Sequence, residues 1–197
     1  MTCAYLLQSF RFNNYLLLPM PYQSDTKSVI KPFVLMLKQD DPSKCTAAKL
    51  VKFKLAQPIH HIHKAMIVLN PFAKVLISGD DSKISNIVCA IDCSWLRAEQ
   101  VMKYRKFACR GIDRRLPLLL AANPINYSKV GVLSTAEALS GSLYIMGYKA
   151  MAAELMNKFK WGHTFLQLNS NLLEEYSNAA STAQIADLEK SYFPQLC

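Results

Sequence analysis

The chain has 197 residues, 51% of them hydrophobic and 19% charged, which places it among folded globular proteins with one large or two small domains and excludes a disordered or fibrous chain. Its formal net charge of +9 favours a polyanionic partner, most simply nucleic acid. Six cysteines without a Cys-x-x-Cys pair argue for reduced thiols rather than a disulfide framework or a zinc site.

Residues 1–22 are apolar and aromatic, but Gln8, Arg11, Asn13 and Asn14 interrupt the run. With no basic start and no small-residue cleavage site, they read as an extension (residues 1–30) of a cytoplasmic protein, ending in the linker Gln23-Ser24-Asp25-Thr26. Residues 33–37 predict a strand stopped by Gln39-Asp40-Asp41-Pro42, and Thr46-Ala47-Ala48-Lys49-Leu50 opens a short helix. The free amides of a helix start suit a carboxylate, and Thr46 serves there either as a plain cap or as a ligand contact. His60, His61 and His63 have no acidic or cysteine partner at metal-ligand spacing, so they read as a solvated loop able to touch phosphate, and no metal is expected. Residues 65–69 and 75–77 predict two further strands, ended by Asn70-Pro71 and by Gly79-Asp80-Asp81. Together these give a small α/β domain over residues 31–85.

A second domain is expected over residues 86–197. Residues 87–91 read as a strand that delivers Asp92 and Trp95 to its carboxyl end, with Ser94 suited to cap the next helix. Trp95 there is either core or site wall, and Asp92 either a helix-start charge or a functional carboxylate. Lys103, Arg105, Lys106, Arg110, Arg114 and Arg115 face a single acid, Asp113, and with Lys160 form a basic set suited to RNA phosphates. Residues 116–122 are continuously apolar and predict a central strand, stopped by Asn123-Pro124 at the sheet end where open α/β sheets bind ligands. Ser134-Thr135-Ala136-Glu137 is a capping box, opening a helix with Leu139, Leu143 and Met146 on one face and a break at Gly147. Trp161-Gly162 reads as a helix stop, and Phe165, Leu168, Leu172 and Tyr176 as the core face of a closing helix. Without a Gly-x-Gly-x-x-Gly fingerprint, a phosphate-binding loop or a nucleophile-base set, nucleotide hydrolysis and classical dinucleotide binding are not expected.

Several blocks carry a more specific signal: Asp41-Pro42-Ser43-Lys44-Cys45-Thr46, Leu69-Asn70-Pro71, Ile91-Asp92-Cys93-Ser94-Trp95, the run from Arg114 to Tyr127, Leu133-Ser134-Thr135-Ala136-Glu137-Ala138-Leu139 and Phe159-Lys160-Trp161-Gly162. In this order and spacing, over about residues 33–178, the chain resembles the small-subunit rRNA aminocarboxypropyltransferases, ribosome-maturation factors that hypermodify one uridine-type base near the decoding centre. The resemblance implies a SPOUT-class, knotted methyltransferase-like fold for the carboxyl-terminal domain and S-adenosyl-L-methionine as cofactor. It also implies small-subunit rRNA within the pre-ribosomal small subunit as partner, a monomer, and no membrane. It puts Thr46 and Thr135 at the amino acid end of the cofactor, Leu69, Pro71, Ile91 and Leu116 around adenosine, Trp95 and Ala98 at the methyl group, and Asp92 where the base enters, as a candidate base. Family members carry an aromatic residue where this chain has Gly131, so that wall of the adenosine pocket is either looser here or filled from elsewhere. An RNA methyltransferase on the same fold and a noncatalytic assembly factor are the rival readings. An iron-sulfur protein lacks clustered cysteines.

Overall fold

The computed structural model describes residues 29–37, 45–103 and 111–196. The predicted amino-terminal linker, the Gln39-Asp40-Asp41-Pro42 stop, and Arg105, Lys106 and Arg110 lie outside the described residues.

Five parallel strands form one sheet in the order β2-β1-β4-β3-β5: β1 (Lys31–Met36), β2 (Gln57–Ile59), β3 (Ile67–Leu69), β4 (Ile87–Asp92) and β5 (Ile112–Arg114). Both faces are covered, as an all-parallel sheet requires, and the two-residue period sorts each strand between them. Val34, Ile67, Leu69, Val88 and Ala90 pack into the large core on one face, while Leu35, Val68 and Cys89 join Ile62 and Met66 on the other. β4 lies between β1 and β3, so strands from either side of the expected boundary at residue 85 share one sheet.

The helices are α1 (Thr46–Lys52), α2 (Asp81–Ile84), α3 (Trp95–Lys103), α4 (Thr135–Ile145), α5 (Lys149–Met156), α6 (Gly162–Leu168), α7 (Ser170–Asn178) and α8 (Thr182–Tyr192). The capping box forms: Ser134 Oγ accepts from the Glu137 amide and Glu137 Oε2 from the Ser134 amide. Gly147, at φ 88°, breaks the chain between α4 and α5. Among the described residues no helix is long and apolar enough to cross a membrane.

Four expectations need correction. Residues 116–122 are extended but form no strand of the sheet. Pro117 has no amide to give, and the Leu118, Leu120 and Ala122 amides donate to side chains instead: Glu189 Oε1 at 2.7 Å, Asn169 Oδ1 at 2.7 Å and Glu137 Oε1 at 2.7 Å. Leu119 and Ala121, pointing the other way, are fully buried, so the apolar run signals burial correctly, while those side chains and a short antiparallel pairing with residues 128–131 satisfy its backbone. Residues 75–77 contribute one bridge, Leu76 to Arg115, rather than a strand. Trp161-Gly162 starts α6 instead of ending a helix; a Cβ on Gly162 would overlap the Met156 carbonyl, so only glycine permits this turn. The closing helix is two helices, α6 and α7, parted at Asn169, whose side-chain amide grips both backbone groups of Leu120. Phe165, Leu172 and Tyr176 are buried as expected, but Leu168 is 38% exposed.

Candidate active site

A cavity of about 900 Å³ opens beyond the carboxyl ends of β3 and β4, where a parallel sheet leaves loop space for a ligand. Its walls include every residue assigned above to a cofactor: Thr46, Leu69, Pro71, Ile91, Trp95, Ala98, Leu116, Gly131 and Thr135, together with Asp92.

Asp92 ends β4 and ties two helix starts together. Its Oδ1 accepts from Thr135 Oγ1 at 2.8 Å, in the first turn of α4, and its Oδ2 from Cys45 Sγ at 3.3 Å. Cys45, not Thr46, caps α1, its sulfur accepting from the Ala48 amide at 3.3 Å. Burial pushes the Cys45 thiol up to about 11, so at neutral pH it keeps the proton it donates to Asp92. Thr46 Oγ1 reaches the same α4 turn, accepting from the Ala136 amide at 3.3 Å. Asp92 is the only carboxylate among the described residues lining the cavity.

Cys45 should therefore tolerate serine but not alanine. A serine hydroxyl keeps both the cap and the donor to Asp92, whereas Cys45→Ala is expected to lower the unfolding free energy by about 1 kcal/mol, the usual worth of a helix cap. Urea midpoints of the two variants check this; equal losses would show that the thiol acts only by packing.

Trp95 stands at the first position of α3, 41% exposed, with its indole Nε1 donating to the Leu133 carbonyl at 2.8 Å. It is a cavity wall locked by one hydrogen bond, not core. Gly131 has φ 74°, and its amide donates to the Leu119 carbonyl at 2.8 Å. That left-handed backbone disfavours any side chain, which accounts for glycine here. Two aromatic rings, Phe159 and Trp161 with centroids 5.0 Å apart, line the same cavity from the turn between α5 and α6.

The expected basic set divides. Arg114 and Arg115 are both taken up in ion pairs with acids far along the chain, and Arg115 also lines the cavity. Arg114 Nε donates to Asp81 at 2.8 Å, and Arg115 makes a two-pronged pair with Glu189 at 2.7 and 3.0 Å. Both acids are buried, so these pairs brace the fold. Lys103 closes α3, and Lys160 is exposed beside Trp161. His60, His61 and His63 are exposed, and among the described residues no group of histidine, cysteine, aspartate or glutamate side chains is placed to hold a metal ion.

Sequence reasoning missed Cys45, Lys49, Leu96, Asn123, Ile125, Lys129, Phe159 and Trp161 as cavity residues. Asn123-Pro124 marked the right loop, and the Phe159-x-Trp161 pair was the available hint of a second aromatic wall.

Residues 67–193 match the family model described as ribosome biogenesis protein, C-terminal. A 16S rRNA aminocarboxypropyltransferase of Thermoplasma volcanium is 43% identical, the match covering 82% of this chain and 97% of the relative. The corresponding protein of Methanosarcina mazei is 41% identical over 78% of this chain and 90% of its own. The chain belongs to the 16S rRNA aminocarboxypropyltransferase family. The solved structure of the SAM-dependent rRNA:acp-transferase Tsr3 from Vulcanisaeta distributa superposes with a TM-score of 0.75 at 38% identity, covering 85% of this chain and 90% of that one. The aminocarboxypropyltransferase resemblance read from the sequence blocks is thus the family the comparisons give, and the cavity described above lies within a fold it shares with a transferase of the same kind.

Proposed function

We propose that this chain transfers the 3-amino-3-carboxypropyl group of S-adenosylmethionine to N3 of a uracil-type base in small-subunit rRNA during ribosome maturation. The observation that supports it best is the composition of the cavity: an apolar wall of Leu69, Pro71, Ile91 and Leu116, set against two threonine hydroxyls and one carboxylate. The hydroxyls are complementary in what they have left to offer. Thr46 accepts from Ala136 and retains its proton for a ligand carboxylate, while Thr135 donates to Asp92 and retains lone pairs for a ligand ammonium. An amino acid end fits such a pair.

Bound S-adenosylmethionine supplies an alkyl group already activated by the sulfonium, and methylthioadenosine is the leaving product. The protein's task is orientation. Trp95 and Ala98 cover the methyl, Thr46 and Thr135 fix the amino acid end, and the carboxypropyl carbon is the one left facing the RNA. Asp92 takes the N3 proton. Lys103, Arg105, Lys106, Arg110 and Lys160 meet phosphate and make binding salt-dependent.

In this reading the chain works as a cytoplasmic monomer on the pre-ribosomal small subunit. Residues 86–197 take the knotted, SPOUT-class arrangement.

The test is transfer to small-subunit rRNA lacking the modification, with S-adenosylmethionine labelled in the carboxypropyl carbons and, in parallel, in the methyl. Carboxypropyl label in RNA with methylthioadenosine released is the expected result. Methyl label would make the chain a methyltransferase, and RNA binding without either label would make it an assembly factor.

A further inference from the structure

N3 of a uracil-type base lies on its pairing edge, so it cannot meet a carbon inside a cavity unless the nucleotide leaves its stack. Something at the mouth must fill the space it vacates. Two aliphatic side chains on the cavity wall are conspicuously in water: Leu96 is 97% exposed and Ile125 is 70% exposed. A scattered exposed aliphatic residue needs no explanation, but these two line one cavity.

Both stand on backbone that is held firmly. Leu96 follows Trp95, whose indole is fastened to the Leu133 carbonyl. The Ile125 amide donates to Asn123 Oδ1 at 3.2 Å, and the Asn123 side-chain amide donates in turn to buried Glu137 at 2.7 Å. The occupant's charge is also indicated. Lys49 and Lys129 line the same cavity, and Lys49 forms no ion pair among the described residues. An apolar pair on a cavity wall that also carries cations suits a polyanion with flat apolar rings, not a lipid or an acidic peptide.

The geometry points to Leu96 and Ile125 as the wedge that holds the target nucleotide of the rRNA out of its stack. In other nucleic-acid binders apolar side chains, leucine and isoleucine among them, insert between base steps and unstack them. The inference rests on the proposed transfer reaction for its choice of occupant.

Leu96→Ala, Ile125→Ala and the double variant test it against two substrates: folded small-subunit rRNA and a short unstructured oligonucleotide carrying the same target base. Both positions are exposed, so the variants fold. The expected result is a loss of kcat/KM of about 10-fold or more on folded rRNA, as removal of one good contact gives, with the oligonucleotide and S-adenosylmethionine affinity by calorimetry nearly unchanged. Equal losses on both substrates, or no loss on folded rRNA, would overturn the wedge. A second readout does not need transfer: 2-aminopurine placed beside the target nucleotide brightens when wild type unstacks it, and should stay dim with the double variant. Brightening that depends on Leu96 and Ile125 while no label transfers would keep the wedge and remove the reaction; brightening unaffected by the double variant would remove the wedge alone.

Discussion

Glu137→Ala is expected to remove about 4 kcal/mol of stability and about 10 °C from the melting temperature, a large share of what a domain of this size has. Glu137 is fully buried at the first turn of α4 and receives four donors. Its Oε1 takes the Ala122 amide at 2.7 Å and the Asn123 amide at 2.9 Å; its Oε2 takes the Asn123 side chain at 2.7 Å and the Ser134 amide at 2.7 Å. Alanine leaves those groups without acceptors where water cannot readily replace the carboxylate, and each such orphan costs about 1–3 kcal/mol. Glu137→Gln separates charge from shape: its oxygen can serve one pair of donors, but its NH2 then points donor to donor at the other, so roughly half the loss should remain. Urea unfolding of the two variants measures this. A glutamine variant as stable as wild type would mean that the four donors do not need a carboxylate.

The same residue shows where sequence reading succeeds and where it stops. Glu137 was legible as half of a capping box because its partner, Ser134, lies three residues away. Its other role, holding Ala122 and Asn123, spans 15 and 14 residues and leaves no periodic trace. Local signals were sufficient for β1, β4 and the break at Gly147. They misled at residues 116–122, because an apolar run reports burial and not the source of its hydrogen bonds; here the partners are the side chains of Glu137, Asn169 and Glu189 and the backbone of residues 128–131, none of it a strand of the sheet. Arg114 and Arg115 looked like free charge since their acids, Asp81 and Glu189, lie 33 and 74 positions away. In the cavity, Asp92 and Trp95 were readable from their place at a strand end. Cys45 was not, because cysteine is an unusual cap and its second bond crosses 47 residues to Asp92. α8, with Ser181 as its cap, went unread although its Glu189 anchors the extended run.

Asp92→Asn is expected to slow single-turnover transfer by about 100-fold or more at saturating S-adenosylmethionine, within the range that losing a positioned base produces. The substitution is informative because of what surrounds the carboxylate. Thr135 and Cys45 each donate to one oxygen, and each oxygen still has a second lone pair with which to take a proton. Asparagine preserves the bond to one partner, and the other can turn to accept from its NH2, so the two helix starts stay joined while the negative charge is lost. Asp92→Ala removes both and should additionally weaken cofactor binding, as the α1 and α4 starts are released from each other. If the carboxylate takes the N3 proton, the asparagine variant should also gain rate steeply as pH rises, since the substrate must then ionise without help. An asparagine variant with wild-type rate beside an inactive alanine variant would instead assign Asp92 to holding the cavity together, and the proton on N3 would leave directly to solvent.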